Sequence, residues 1–314
     1  MPPTQRGPLP DLLPAGTRLA KHYVIHERLG GGGMASVYRG EHTTIGRPVA
    51  IKVLSRSLCL KPAVVVRFLQ EARASSKVRH ENVVEVTDFG ETEDGRPFMV
   101  MEYLEGENLA VTLRREGPLP WDRTRPMLLQ LLAALQAAHE HGVIHRDMKP
   151  ENVFRISRMG SDDFLKVFDF GIAKVLLGDD GNPAKPLTIE GQILGTPAYM
   201  APEQCLGDAV DARTDLYAVG VIAFQMLTGR PPFEGDETSV LLYNQVYTRV
   251  PDMREVAPSI PVNRGVEALV RKALAKDRDD RFETAQEFAE ALLADDNSSS
   301  GLLPMLRGLF RRRR

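Results

Sequence analysis

Apolar positions fall into two textures along the chain. From Tyr23 to Tyr103 they come in short β-branched runs, Val49 to Leu54, Val83 to Val86 and Phe98 to Tyr103, bounded by Gly, Pro and Asp, which predicts strands. One helical stretch interrupts them, starting at Pro62 and running through Phe68, Leu69 and Ala72; proline suits a first helical turn because its missing N–H has no partner there. After Glu105 the periods lengthen. Met127 to His139 is apolar on most faces, the mark of a buried helix. Leu216 to Thr228 reads the same way and is closed by Gly229 and Pro231-Pro232. Val266 to Lys276 and Thr284 to Leu293 complete a helical second half.

The ends lack such periods. Residues 1–15 hold five prolines, so the first 20 residues read as an irregular lead-in. Residues 21–104 then form a small strand-rich lobe, 105–296 a larger helical lobe, and 297–314 a flexible linker with a basic tail. The longest apolar stretches are broken by Gln130, Gln136 or Gln225, so no run nears the ~18 residues of a membrane helix. The first residues show no secretory signal.

Composition narrows the classes. With 43% apolar and 26% charged residues the chain has ordinary globular usage, and a formal net charge of -2 argues against a nucleic-acid binder working by global positive charge. The charge is uneven. Arg307, Arg311, Arg312, Arg313 and Arg314 face no acid after Asn297, and the rest of the chain holds 35 basic against 42 acidic residues. Cys59 and Cys205 lie far apart without metal spacing, which fits a reducing cytoplasm.

Three motifs carry chemistry. "LGGGGMASVY", Leu29 to Tyr38, can lay backbone N–H groups over phosphates, though a plain flexible hairpin reads equally well from the motif alone. No Lys-Ser/Thr pair follows it, and Val37 and Tyr38 continue as strand, so it is neither a Walker loop nor a Rossmann turn. "VAIK" sets Lys52 among apolar neighbours, where it needs an anion; Glu71 on the following helix is available. "HRDMKPEN", His145 to Asn152, and "DFG", Asp169 to Gly171, put two carboxylates, an amide and a lysine in loops flanked by apolar strands. Asp147 can accept a hydroxyl proton, Lys149 can stabilise a transferred phosphoryl group, and Asn152 with Asp169 can ligate Mg²⁺ through oxygen.

Taken in order, these motifs make the chain similar to a eukaryotic-type serine/threonine protein kinase of the bacterial branch, over roughly Tyr23 to Ala294. The resemblance implies an α+β bilobal fold, a small β-rich N-lobe with one main helix and a larger α-helical C-lobe. It implies ATP and Mg²⁺ as cofactors and serine or threonine hydroxyls of proteins as acceptors. Gly30 and Gly32 match the first two loop glycines, with Leu29, Gly31, Gly33 and Ala50 beside the nucleotide and Val37 packing on adenine. Lys52, paired with Glu71, would hold the α- and β-phosphates; Asp147 is the catalytic base. Met101 would be the gatekeeper, and the backbones of Glu102 and Leu104 would bond adenine. Ala201-Pro202-Glu203 closes the activation loop; Glu203 would pair with Arg281, and Asp215 would brace the catalytic loop. Ala35 stands where the third loop glycine belongs, which touches γ-phosphate positioning rather than the fold.

Lys149 and "GTPAYMAPE" follow the serine/threonine pattern, with Thr196 shaping the substrate pocket. In relatives the arginine matching Arg146 is neutralised by a phosphorylated loop residue. Between Gly171 and Ala201 only Thr188 and Thr196 carry hydroxyls of that kind, so Thr188 is the expected autophosphorylation site, and Glu190 stands where relatives have a second threonine. The tail admits three readings: attachment to a membrane surface through Arg311 to Arg314, the start of a longer receptor, or a solvated end. The expected place is the cytoplasm, with peripheral membrane association following from the first reading. Relatives also leave room for a weak homodimer. Against transfer stand a pseudokinase scaffold, which should lack Lys52, Asp147 or Asp169, and a small-molecule kinase, which should lack the long activation segment. His145 reads as a packed loop histidine, and Cys59 and Cys205 as small side chains.

Overall fold

A computed structural model describes residues 11–158, 160–170, 197–260 and 262–294, and the backbone alone at 188–189 and 192–193. The chain divides into two compact units. One takes the residues up to Ser76 together with Val84–Leu104; the other takes Lys77–Val83 and the residues from Glu105 onward.

The first unit is a six-stranded antiparallel sheet in the order β1-β2-β3-β4-β6-β5. Its strands are β1 (Arg18–Leu19), β2 (Tyr23–Gly31), β3 (Ala35–His42), β4 (Arg47–Leu54), β5 (Val86–Glu91) and β6 (Pro97–Glu102). Because side chains alternate along a strand, β4 sends Val49, Ile51 and Val53 to one face and Ala50 and Lys52 to the other. The first face joins Ile25, Tyr38, Phe98 and Val100 in a core sealed from water. The other face is set by register: Val37 lies opposite Lys52, Met99 also opposite Lys52, and Met101 opposite Ala50. A short α1 (Arg56–Cys59) leads to α2 (Pro62–Ser75), which buries Phe68, Glu71 and Ala72.

Residues 11–20, the described part of the lead-in, pack on the sheet rather than standing apart from it. Arg18–Leu19 pairs with Tyr23–Val24, and Gly16 N donates to Ile25 O at 2.8 Å. Leu13 packs against the sheet core while its N–H donates to the Tyr38 hydroxyl at 3.0 Å. Proline removes a donor but keeps its carbonyl, and Pro14 O accepts from Thr17 N at 3.2 Å.

The second unit is mostly helical. It contains α3 (Leu109–Glu116), α4 (Trp121–Glu140), α5 (Pro202–Leu206), α6 (Ala212–Thr228), α7 (Thr238–Tyr247), α8 (Met253–Val256), α9 (Arg264–Ala273) and α10 (Ala285–Ala294). α4 and α6 are buried along almost their whole length, and α6 ends on Gly229 in the left-handed conformation (φ 86°). Two of the polar residues that interrupt the apolar runs, Gln130 and Gln225, bond across the core, whereas Gln136 bonds at the surface to Glu140 and Gln286 N. Gln130 Oε1 accepts from Leu165 N at 2.8 Å, and Gln225 Oε1 accepts from the Tyr199 hydroxyl at 2.6 Å. Each glutamine thus satisfies a buried polar group that would otherwise be costly to leave unpaired.

The helical reading of this half omitted a sheet. β7 (Gly106–Asn108), β8 (Val153–Arg158) and β9 (Ser161–Val167) form three antiparallel strands that carry the loops around them. The strand read at Val83 to Val86 also divides: β5 begins at Val86, whereas Val83 bridges to Val167 in the second unit. Asn82, fully buried, draws that segment over by donating from Nδ2 to Leu165 O at 2.7 Å and to Gln130 Oε1 at 3.0 Å. At Thr188–Ile189 (β10) and Gln192–Ile193 (β11) the backbone pairs antiparallel. Among the described residues no helix is long and apolar enough to cross a membrane.

Candidate active site

Within the first unit, Lys52 and Glu71 meet. Lys52 Nζ lies 3.0 Å from Glu71 Oε1, with Lys52 9% and Glu71 5% exposed. β4 projects the lysine and the third turn of α2 supplies the carboxylate, so neither buried charge is left alone. Val37, Ala50 and Met101 share the lysine's face of the sheet by register, and Ala50 and Met101 are buried there. Glu102 closes β6, its Oε1 accepting from Glu85 N at 2.9 Å, and Leu104 follows half-buried.

The glycine-rich stretch is a hairpin. Leu29, Gly30 and Gly31 end β2, and Gly32 and Gly33 lie in the turn, with Gly32 N donating to Ala35 O at 3.0 Å. Glycine is required at Gly31, where φ is +149° and a Cβ would sit 2.6 Å from Ala35 O; at Gly30, Gly32 and Gly33 a Cβ would meet nothing within 4 Å. The motif spacing had emphasised Gly30 and Gly32. Their open surroundings suit close approach of a ligand to the backbone, a different use of glycine from the steric one at Gly31.

In the second unit the loop 145–152 gathers the other groups. Asp147 Oδ2 lies 3.1 Å from Lys149 Nζ. Asn152, in the 3-10 turn Pro150–Asn152, donates from Nδ2 to Asp147 O at 2.8 Å and to Asp147 Oδ2 at 3.3 Å. Phe168 N donates to Asn152 O at 3.1 Å, which sets Asp169 beside this loop; Asp169 itself adopts φ +56°. His145 is fully buried, and burial holds its imidazole below the ordinary histidine pKa, hence neutral. Its Nε2–H donates to Phe168 O at 3.0 Å while Nδ1 accepts from Asp147 N at 3.3 Å, a single tautomer serving both segments.

Asp215, at the start of α6 and 1% exposed, holds the loop from beneath. Its Oδ1 accepts from Arg146 N and its Oδ2 from His145 N, each at 2.8 Å. His139 Nε2, at the end of α4, is also 2.8 Å from Oδ2. Burial pushes the Asp215 carboxyl up, but the bond and charge of His139 and the His145 contacts outweigh it and hold the group below the usual carboxylate range. Arg146 has φ +64°, and burial lowers its guanidinium pKa; its Nε finds no hydrogen-bond partner among the described residues.

Glu203 and Arg281 form a bidentate pair at 2.8 Å on both arms, with the Arg281 side chain wholly buried. Thr214 Oγ1 adds a third bond to Glu203 Oε1 at 2.7 Å. Burial would raise the Glu203 pKa, yet the Arg281 bonds and charge hold it below the ordinary value. The side chain of Thr188, and all of Thr196, Glu190 and Arg311 to Arg314, lie outside the described residues.

Residues 23–293 match the family model described as the protein kinase domain. The chain belongs to the protein kinase family. It is 41% identical over 281 residues to the serine/threonine-protein kinase pkn3 of Myxococcus xanthus, covering 90% of this chain and 51% of that protein. It is 44% identical over 265 residues to Pkn1 of the same organism, 84% of this chain and 37% of that protein. The chain thus spans about half or less of the length of these curated relatives. Among solved structures it resembles the kinase domain of Mycobacterium tuberculosis PknI, at 27% identity and TM-score 0.68 over 90% of this chain and 98% of that one. Its relatives are bacterial serine/threonine kinases, and use of ATP with a divalent metal is a property of the family.

Some residues of this site were not singled out from the sequence. His139 ends the apolar run Met127 to His139 and belongs to no motif there. Gln204 and Gln245 are ordinary polar positions until the loops they bond are in place. Gln245, fully buried in α7, donates from Nε2 to Ala198 O at 2.6 Å and to Pro197 O at 3.2 Å, and accepts from the Tyr217 hydroxyl at 2.6 Å.

Proposed function

We propose that the chain is an ATP- and Mg²⁺-dependent serine/threonine protein kinase that transfers the γ-phosphate to protein hydroxyls, its own Thr188 included. The observation that carries this reading is the loop 145–152, in which Asp147 is flanked by Lys149 at 3.1 Å and fixed by Asn152 at 2.8 Å. Asp147 orients the acceptor hydroxyl and takes its proton; Lys149 offsets charge on the transferred phosphoryl group. Lys52, held in place by Glu71, binds phosphate oxygens of the nucleotide, and the open glycines Gly30, Gly32 and Gly33 admit close approach of its phosphates. Val37, Ala50 and Met101 offer an apolar face for adenine, beside Leu29 and the backbones of Glu102 and Leu104.

The residues fit Mg²⁺. Asn152 spends its Nδ2 on Asp147, which leaves the amide oxygen as its ligating atom, and Asp169 adds a carboxylate; hard cations take such oxygen donors in small number. The metal's contribution is to neutralise phosphate charge as it shifts. Thr196 would form the substrate pocket, with the Glu203–Arg281 pair and Asp215 as supports. A phosphate on Thr188 would neutralise Arg146, whose Nε is buried and unpartnered among the described residues.

Both cysteines are free thiols, which suits a reducing cytoplasm. The arginine tail would add peripheral attachment to anionic lipid, worth ~1 kcal/mol per arginine near the surface. Liposome co-sedimentation unchanged by deletion of residues 301–314 refutes that attachment, and a single monomer mass in sedimentation at all concentrations refutes a weak homodimer.

The test of transfer is the intact mass of the purified chain before and after Mg-ATP, beside an Asp147→Asn control. Gain of phosphate in the wild type alone, with Thr188 among the mapped sites, is expected. No gain, even with a basic protein substrate present, overturns the reading in favour of a binding scaffold.

A further inference from the structure

The peptide that joins Arg146 to Asp147 is held at every polar atom around it. Asp147 N donates to His145 Nδ1 at 3.3 Å, and Arg146 N donates to Asp215 Oδ1 at 2.8 Å. The remaining atom, Arg146 O, accepts from Gln204 Nε2 at 2.9 Å. Gln204 lies in the first turn of α5, just past Ala201-Pro202-Glu203, and 58 residues separate it from Arg146. Its other end is fixed too: Gln204 Oε1 accepts from Ala201 N at 3.1 Å. That acceptance settles which end of the amide is oxygen, so the end facing Arg146 is the donor.

Arg146 needs such restraint. It sits at φ +64°, a left-handed conformation unfavourable for a side chain with a Cβ, and such backbone persists only where its surroundings over-determine it. Rotation of the 146–147 peptide plane changes ψ of Arg146 and φ of Asp147, and so swings the Asp147 carboxylate with it. Asp215 holds the N–H side of Arg146, and without Gln204 nothing described bonds the carbonyl side.

We infer that Gln204 is a positioning residue for Asp147: its amide bridges the start of α5 to the carbonyl of Arg146 and so fixes the orientation of the proposed proton acceptor. The inference rests on the kinase reading above and adds a residue to it. It also makes the bridge specific in sense. One end of the side chain must accept from Ala201 N and the other must donate to Arg146 O, a demand that only a primary amide of this length meets.

Two variants of the full chain test it. Gln204→Met keeps length and packing but makes neither bond. Gln204→Glu keeps an acceptor for Ala201 N and places a carboxylate against the Arg146 carbonyl. With Mg-ATP and a basic protein substrate, both are expected to lower kcat about 10- to 100-fold, with KM for ATP changed less than about twofold. A merely structural role predicts instead a lower unfolding temperature with kcat per folded molecule unchanged, and that result overturns the inference. Wild-type kcat in Gln204→Glu also overturns it, because the Ala201 contact would then suffice. If the wild type itself transfers no phosphate, the kinase reading fails and this inference goes with it; an active wild type with active variants defeats the inference alone.

Discussion

Replacing Asp215 should cost both stability and turnover, for one structural reason. Its carboxylate accepts from His145 N and Arg146 N and lies against His139 Nε2, all at 2.8 Å, in a site 1% exposed. Hydrogen bonds to a charged acceptor contribute about 1.5–3 kcal/mol each, and a buried donor left unpaired costs about 1–3 kcal/mol. Asp215→Ala strands two backbone donors and a histidine, while removing one carboxylate that was itself costly to bury. The net loss is about 4 kcal/mol. Asp215→Asn retains one acceptor and turns an N–H₂ toward the other donor, for a loss of about 2 kcal/mol on the same scale. In a unit of this size each kcal/mol lowers the melting temperature by about 2–4 °C, so Asp215→Ala should melt roughly 8–16 °C lower. Urea unfolding followed by tryptophan fluorescence reads the right unit, because the chain's one tryptophan, Trp121, opens α4. Phosphate transfer measured beside it should fall about 100-fold, since releasing the 145–147 backbone misplaces Asp147 by about an ångström. A loss below about 1 kcal/mol in Asp215→Ala, or full turnover in the folded variant, refutes the bracing argument.

The Glu203–Arg281 pair makes stability depend on acid. Its folded pKa lies below the unfolded value of about 4.3, so its contribution is complete above that pH and disappears as pH falls through the folded value. Glu203→Gln should therefore trail the wild type in unfolding free energy from urea titration at neutral pH by about 3–5 kcal/mol and draw closer below about pH 4; a gap constant with pH contradicts this. Gln245→Leu leaves Ala198 O, Pro197 O and the Tyr217 hydroxyl short of a partner, and is expected to raise KM for protein substrate several-fold while KM for ATP stays put, read by steady-state kinetics. Leu13→Ala should cost about 1 kcal/mol in thermal unfolding, because Leu13 is only partly buried against the sheet core; no change would mean the lead-in does not add to the first unit's stability.

What the sequence determined by itself follows from local rules. The helices around Phe68, Leu128, Ile222 and Phe288 are legible because apolar periodicity records which face is buried, and Pro62 and Gly229 mark ends through backbone chemistry that needs no partner. Residue types in "VAIK", "HRDMKPEN" and "DFG" carry their chemistry wherever the chain goes. Tertiary structure decided everything that depends on a distant atom. Gly31 is required for the closeness of Ala35 O, which spacing alone does not reveal. Val83 leaves the strand it was read into because Asn82, 83 residues before Leu165, finds its carbonyl there. His139, Gln204 and Gln245 belong to no motif in the sequence, and become supports of the site only when folding brings the Asp215 carboxylate or buried backbone carbonyls within 3 Å of them. A side chain's apolarity is its own property, but a hydrogen bond belongs to two atoms, and only the fold sets the second beside the first.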